Sequence, residues 1–131
     1  MKEIPKAGPL DATVTVPPSK SYSVRALLLA AMSSGTTAVS NCLDADDTRY
    51  ALEALKSLGY DVAGSFQREL FIGQRLSMSA NEVPIFIGNA GTAMRFFTGW
   101  LAFTPGRFLL QGEARMHQRP IGDLVEVLRQ L

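Results

Sequence analysis

Apolar and polar positions change rhythm repeatedly along the 131-residue chain, and each change marks an element. Residues 12–16 (ATVTV) alternate and predict a strand. A serine at 19 or 21 is placed to cap a helix running to about Ser34, with Gly35 ending it. Residues 36–42 (TTAVSNC) predict a second strand, and 44–59 (DADDTRYALEALKSLG) a second helix. Asp44, Asp46 and Asp47 suit the dipole-positive start of that helix, and Lys56 and Gly59 suit its end. Two short strands are expected next, near 60–64 and 69–73. The pattern then restarts, with a strand at PIFIG (84–88) and a turn opening a helix at NAGTAMRFFTGWLAF (89–103). RFLLQG (107–112) predicts another strand, and RPIGDLVEVLRQL (119–131) a helix with a proline near its start.

The restart reads as a repeat. Arg25 and Arg95 each stand at the start of an apolar helix, 70 residues apart, and LEALKSL (52–58) matches VEVLRQL (125–131) at an offset of 73. Two units are expected, at about 12–74 and 84–131, the second stopping where the first continues into two strands. The chain 1–131 then ends within a unit, and either further chain or a partner supplies the missing strands. Both first helices, VRALLLAAM and MRFFTGWLAF, are apolar nearly all round, which predicts buried helices, while the second helices are amphipathic. The expected fold class is α/β (α+β): repeated strand-helix-strand-helix-strand-strand units, with buried helices packed on sheets.

Composition narrows the function classes. Apolar residues make up 47% of the chain and charged residues 19%, enough for a sizeable core. A net charge of +1 gives no footprint for nucleic acid or an anionic membrane, and no apolar run is long enough to span one. The leading MKEIPKAGPL has no apolar run of the targeting kind. The single Cys42 cannot form an internal disulfide and has no base near it in sequence, so a structural thiol in a reducing cytoplasm is expected.

The chemistry must therefore come from local placement. Two cations, Lys20 and Arg25, flank the start of the first helix, where each costs about 0.3–1 kcal/mol against the helix dipole. An anionic ligand removes that conflict, since a helix N-terminus offers free N–H groups as well as the dipole. Ser19, Ser21 and Ser23 add hydroxyls, and Ser21 and Arg25 share one helical face. This is not a P-loop, because the lysine comes after PPS rather than glycines. The bland alternative is a capped helix whose cations reach into solvent. A second mouth, GNAGTAMR (88–95), has Gly88 and Gly91 for a tight turn, hydrogen-bonding Asn89 and Thr92, and Arg95 in the first turn. Arg115, His117 and Arg119 cluster before the last helix; Arg119 is aimed at a ligand or is simply a solvated charge, and His117 reads as polar surface. No histidine, cysteine or carboxylate cluster suggests a metal site, and Trp100, Phe96 and Phe97 read as core.

The segments SKSYSVRALLLAA, LDADDTRYALEALKSLG, GNAGTAMRF and RMHQRPIGDLVEVLRQL, in this order and spacing, resemble the N-terminal portion of 5-enolpyruvylshikimate-3-phosphate (EPSP) synthases. The resemblance covers nearly the whole chain but only about the first third of that family's length. It implies a two-domain fold, each domain built from three α/β units. It also implies a reaction of the shikimate pathway without metal or organic cofactor: the carboxyvinyl group of phosphoenolpyruvate passes to the 5-hydroxyl of shikimate 3-phosphate, releasing phosphate. Carried over by position, Lys20 contacts both substrates and is the catalytic candidate. Ser21 and Arg25 bind shikimate 3-phosphate, while Asn89, Gly91 and Arg119 line the phosphoenolpyruvate side. Thr92 and Arg95 are further candidates.

Three positions depart from the family pattern. Val24 stands where asparagine is usual, Phe96 where many members have proline, and His117 where lysine is frequent. The second departure bears on glyphosate, the inhibitor that occupies the phosphoenolpyruvate site of this family. The third unit and second domain, which bring the proton-transfer groups and further phosphate arginines, lie beyond these 131 residues, so the isolated chain is expected to bind substrate weakly and turn nothing over. The alternatives are a non-catalytic anion-binding or assembly module of the same architecture, and a related enolpyruvyl transferase acting on UDP-N-acetylglucosamine. The latter uses an active-site cysteine, which the setting of Cys42 does not suit.

Overall fold

The computed structural model describes residues 3, 5, 8–9, 11–77 and 81–131. The leading segment MKEIPKAGPL, expected to be free of a targeting run, lies largely outside the described residues. The element order is α1 (Lys20–Met32), β1 (Thr37–Ser40), α2 (Asp46–Ser57), β2 (Tyr60–Gly64), β3 (Glu69–Arg75), β4 (Val83–Phe86), α3 (Gly91–Leu101), β5 (Phe108–Gln111), a 3₁₀ turn (Met116–Gln118) and α4 (Gly122–Gln130).

The strands form two sheets. In the first, β3 lies between β1 and β2 and is antiparallel to both. The register sets Val39 opposite Leu70 and Val62 opposite Ile72, so these residues share the face that α1 and α2 cover. In the second, β4 and β5 run parallel, with Val83 opposite Phe108 and Ile85 opposite Leu110, and α3 makes the crossover. One core joins the layers: Leu27 of α1, Leu55 of α2, Ile72 of β3, Ile85 of β4 and Phe97 of α3 are all fully buried. This is the expected class of helices packed on sheets.

Four local expectations are corrected. Residues 12–16 form no strand: Val14 and Val16 are exposed, and the segment has no ladder partner among the described residues. Alternation yields a strand only where a neighbour takes up the backbone hydrogen bonds. Helix α1 stops at Met32, and Gly35, at φ +92°, lies two residues beyond the Ser33 cap. Strand β1 ends at Ser40 because Asn41 turns left-handed (φ 51°), so Cys42 sits in a loop, still buried. The fourth concerns the first helices. Among their apolar residues, Leu29 is 66% exposed, Met32 58% and Phe96 38%, and Phe103 just past α3 is 69% exposed. Apolar residues all round give burial only when every face finds a cover, and here the α1–α3 groove is open.

Candidate functional site

The parallel pairing of β4 and β5 decides where the chemistry lies. Parallel strands end at the same edge, so the turn after β4 and the turn after β5 become neighbours. Ile87 N–H donates to the Gln111 carbonyl (2.8 Å), and Glu113 N–H to the Gly88 carbonyl (3.1 Å). Gly88 has φ +55°, and a Cβ there would meet the Tyr50 ring at 2.2 Å, so only glycine fits the turn. Helix α2 thereby packs directly against the loop that opens α3.

Helix starts divide into two kinds. Helices α2 and α4 carry acids in the first turn, Asp46 and Asp47 in one and Asp123 in the other. Helices α1 and α3 carry none. The positive dipole ends of α1 and α3 are thus uncompensated within their own turns, and each adds an arginine.

At the α3 mouth the cations are held by backbone oxygens. Arg95 Nη1 donates to the Gly91 carbonyl (3.2 Å) and Nη2 to the Pro120 carbonyl (2.8 Å). Arg119 Nη1 donates to the Asn89 carbonyl (3.2 Å) and lies directly over Gly91, where an added Cβ would stand 2.1 Å from that nitrogen. Asn89 Nδ2 donates to Glu113 Oε2, while Asn89 Oδ1 is buried without a partner among the described residues. Asn89, Gly91, Arg95 and Arg119, all candidates from the sequence, are therefore brought into one cluster. Thr92 stands half-buried in the first turn of α3. His117 is on the surface, as expected, with Nε2 3.1 Å from the Gly112 carbonyl.

The α1 mouth is built differently. Ser19 caps the helix, its hydroxyl accepting from Tyr22 N–H at 3.5 Å. Ser23, expected among the ligand hydroxyls, is a buried brace instead: it donates to the Ser19 carbonyl (2.9 Å) and accepts from Leu43 N–H (2.9 Å). Lys20 Nζ pairs with Asp47 Oδ2 at 3.3 Å, so it is already engaged across the α1–α2 junction. Ser21 is half-buried, and Val24 faces fully into the core, where an asparagine amide would need partners. Arg25 is exposed and rests its guanidinium carbon 5.2 Å from the centre of the Phe96 ring.

Arg25 and Arg95 line one cavity of about 740 Å³ between α1 and α3, whose other walls are apolar, among them Leu28, Met32, Phe96 and Trp100. Arg95 also lines a second cavity of about 270 Å³ with Arg119. Neither Arg25 nor Arg95 forms an ion pair with a carboxylate among the described residues. Lys20 and Ser21 stand at the α1 start and line neither cavity.

Two contributors are not evident from the sequence. Phe96 reads as core by its hydrophobicity, yet the buried positions of α3 are Gly91, Ala93, Phe97 and Leu101; the 93/97/101 spacing leaves Phe96 at the rim. Glu113 gives no signal beyond being a loop acid between two glycine-bearing turns. Behind the α1 mouth, where it lines a pocket with Ser19 and Ser23, the Cys42 thiol is pushed up from its ordinary value by burial.

Comparison with known proteins adds a family context. The model for EPSP synthase (3-phosphoshikimate 1-carboxyvinyltransferase) matches residues 4–131. The chain is 44% identical over 128 residues to a 3-phosphoshikimate 1-carboxyvinyltransferase of Bordetella petrii, covering 98% of this chain and 29% of that relative. It is 47% identical over 130 residues to the one from Thiobacillus denitrificans, covering 98% and 30%. The solved EPSP synthase of Acinetobacter baumannii superposes with a TM-score of 0.80 at 30% identity, over 89% of this chain and 27% of that one. The chain thus spans about 30% of the length of the curated relatives it matches.

Proposed function

Because this chain belongs to the EPSP synthase family, we infer that it is the part of a carboxyvinyl transferase that receives two anionic substrates, shikimate 3-phosphate and phosphoenolpyruvate. The observation that carries this reading is the shared wall. Two helix starts without acids of their own each carry an arginine, and both arginines line one cavity with no carboxylate among the described residues neutralising them. An anion at a helix start gains free N–H groups and a favourable dipole, while the cavity, walled otherwise by apolar side chains, contributes the guanidinium groups of Arg25 and Arg95. Shikimate 3-phosphate is assigned to the α1 side, with Ser21 and Arg25, and phosphoenolpyruvate or glyphosate to the Asn89–Gly91–Arg119 cluster. Lys20 joins both when an incoming phosphate replaces Asp47 as its partner. The remaining length of the relatives supplies the proton-transfer groups and closes out water, so these 131 residues bind without turning over.

Titration of the chain with shikimate 3-phosphate, monitored by backbone amide NMR, tests this. The amides of 21–25 are expected to shift, with Asp47 following as Lys20 leaves it, while those of 51–57 stay in place, and a phosphate-release assay is expected to stay at background. Uniform small shifts, or none, would remove the local site. The second reading, a non-catalytic anion-binding or assembly module, draws on the exposed Leu29, Met32 and Phe103, a face that a docked protein segment would cover.

A further inference from the structure

We propose that Phe96 is a positioning residue for the substrate-binding Arg25, holding its guanidinium over the aromatic ring so that it is aimed before the anion arrives. The inference rests on the assignment of Arg25 to shikimate 3-phosphate. Three observations support it. The guanidinium carbon lies 5.2 Å from the ring centre, inside the range of a cation–π contact. Arg25 has no carboxylate partner among the described residues, so the ring is what holds it. Phe96 is also outside the buried set of its own helix: Phe97 next to it fills the core, while Phe96 is 38% exposed and faces the groove with Arg25.

The arrangement suits an anion site better than an ion pair would. A carboxylate partner neutralises the arginine and must be displaced by the ligand. A ring face orients the guanidinium and leaves its charge and its N–H fork free for a phosphate or carboxylate. A flexible arginine loses rotamer freedom on binding, and the platform removes part of that loss in advance. The contact also ties α3 to α1, so the residue after Arg95 sets the aim of the arginine at the other mouth.

The test compares the unmodified chain with Phe96→Leu, Phe96→Tyr and Arg25→Ala, each checked for native fold by circular dichroism. Two quantities are read: the Kd for shikimate 3-phosphate, and the NMR shifts of the Arg25 side-chain protons in the free protein. The ring is expected to hold the Arg25 Cδ and Nε protons upfield, with the displacement lost in Phe96→Leu and kept in Phe96→Tyr. Phe96→Leu should weaken binding about two- to fivefold, and Phe96→Tyr should restore it. If Arg25→Ala weakens binding while Phe96→Leu binds as the unmodified chain does, or if Arg25 shows no ring shift, the platform is refuted and the substrate assignment stands. If Arg25→Ala binds undiminished, the assignment falls and the platform with it.

Discussion

The two helix mouths solve one electrostatic problem in opposite ways. At α1 the cations are held by side chains: an acid for Lys20 and an aromatic ring for Arg25. At α3 they are held by backbone carbonyls, those of Gly91 and Pro120 for Arg95 and that of Asn89 for Arg119. Carbonyls orient a guanidinium without cancelling its charge, so the α3 mouth stays cationic while rigid. The α1 mouth is partly neutralised and adjustable, since a surface lysine–aspartate pair exchanges readily for another anion. Arg25, Arg95 and Arg119 are thus preset with their charge intact, and Lys20 alone is held by a partner that an anion would have to displace.

The comparison holds only if both mouths stand on one cooperative core. Leu27 lies behind the first and Phe97 behind the second, both fully buried. Phe97→Ala is expected to cost about 3–5 kcal/mol and Leu27→Ala about 2–5 kcal/mol. Each should lower a single urea transition seen alike by far-UV circular dichroism and Trp100 fluorescence. Two separate transitions would split the mouths into independent units.

The next largest effect belongs to Ser23. Its hydroxyl ties the first turn of α1 to the loop before α2, and it is buried. Ser23→Ala leaves the Leu43 N–H without its acceptor and should cost about 1–3 kcal/mol in urea denaturation. If Ser23 were instead a ligand hydroxyl, the change would appear in Kd for shikimate 3-phosphate and leave stability untouched.

Much of this is legible in the chain, and the parts that are not have physical causes. The order of helices and strands comes from period and from punctuation where it exists: Ser19 caps α1, Gly59 follows α2, and Gly91 opens α3. Residues 12–16 mislead because alternation describes a strand's faces and is silent about its partners. The open side of α1 and α3 misleads for a similar reason: an apolar surface shows a preference for cover without showing what supplies it. At the site, Asn89, Gly91, Arg95 and Arg119 stand out by clustering near helix starts, and β4–β5 pairing then brings them together. The engagement of Lys20 by Asp47 is invisible in sequence, since the two belong to separate helices and meet only through tertiary packing. Phe96 looks like core because hydrophobicity alone does not separate a core position from a rim position one residue away.

Gly91 sharpens the contrast between the two mouths. Gly91→Ala places a methyl where the Arg119 nitrogen now lies. The obstructing atom is the end of a flexible side chain, so the fold should lose less than about 1 kcal/mol, within the range of ordinary substitutions away from the core. Arg119 must swing off the Asn89 carbonyl, however, and phosphoenolpyruvate affinity is expected to fall about tenfold, equivalent to about 1.4 kcal/mol. Ser21→Ala at the other mouth should leave phosphoenolpyruvate affinity unchanged. Calorimetric titration of both variants reads the difference, and equal losses would mean that the mouths share a single ligand.

A smaller effect is expected from releasing Lys20. Asp47→Asn keeps the shape of the α1–α2 junction and removes the competing carboxylate. Stability should change by less than about 1 kcal/mol, because both partners are partly exposed and screened. Shikimate 3-phosphate should bind a few-fold more tightly, and the gain should shrink as salt is raised. Weaker binding in Asp47→Asn would mean that the aspartate aims Lys20 rather than occupying it.

The smallest expected effect lies outside both mouths and serves as their control. Arg49, donating to Asp44 Oδ1 at 2.6 Å, holds the Asp44 carboxyl below its ordinary value. A carboxylate whose folded-state value is depressed contributes stability above its unfolded value near 4, and that contribution is lost as pH falls through the folded value. Asp44→Asn should therefore narrow the stability difference between about pH 6 and pH 3, with the variant and the unmodified chain converging at the acid end. Because Arg49 and Asp44 sit at the solvent-facing start of α2, shikimate 3-phosphate affinity near neutral pH should be the same in both proteins. A loss of affinity in Asp44→Asn would mean that the acidic start of α2 reaches the α1 mouth through Asp47, and the two mouths would then differ by a network of charges rather than by their immediate partners.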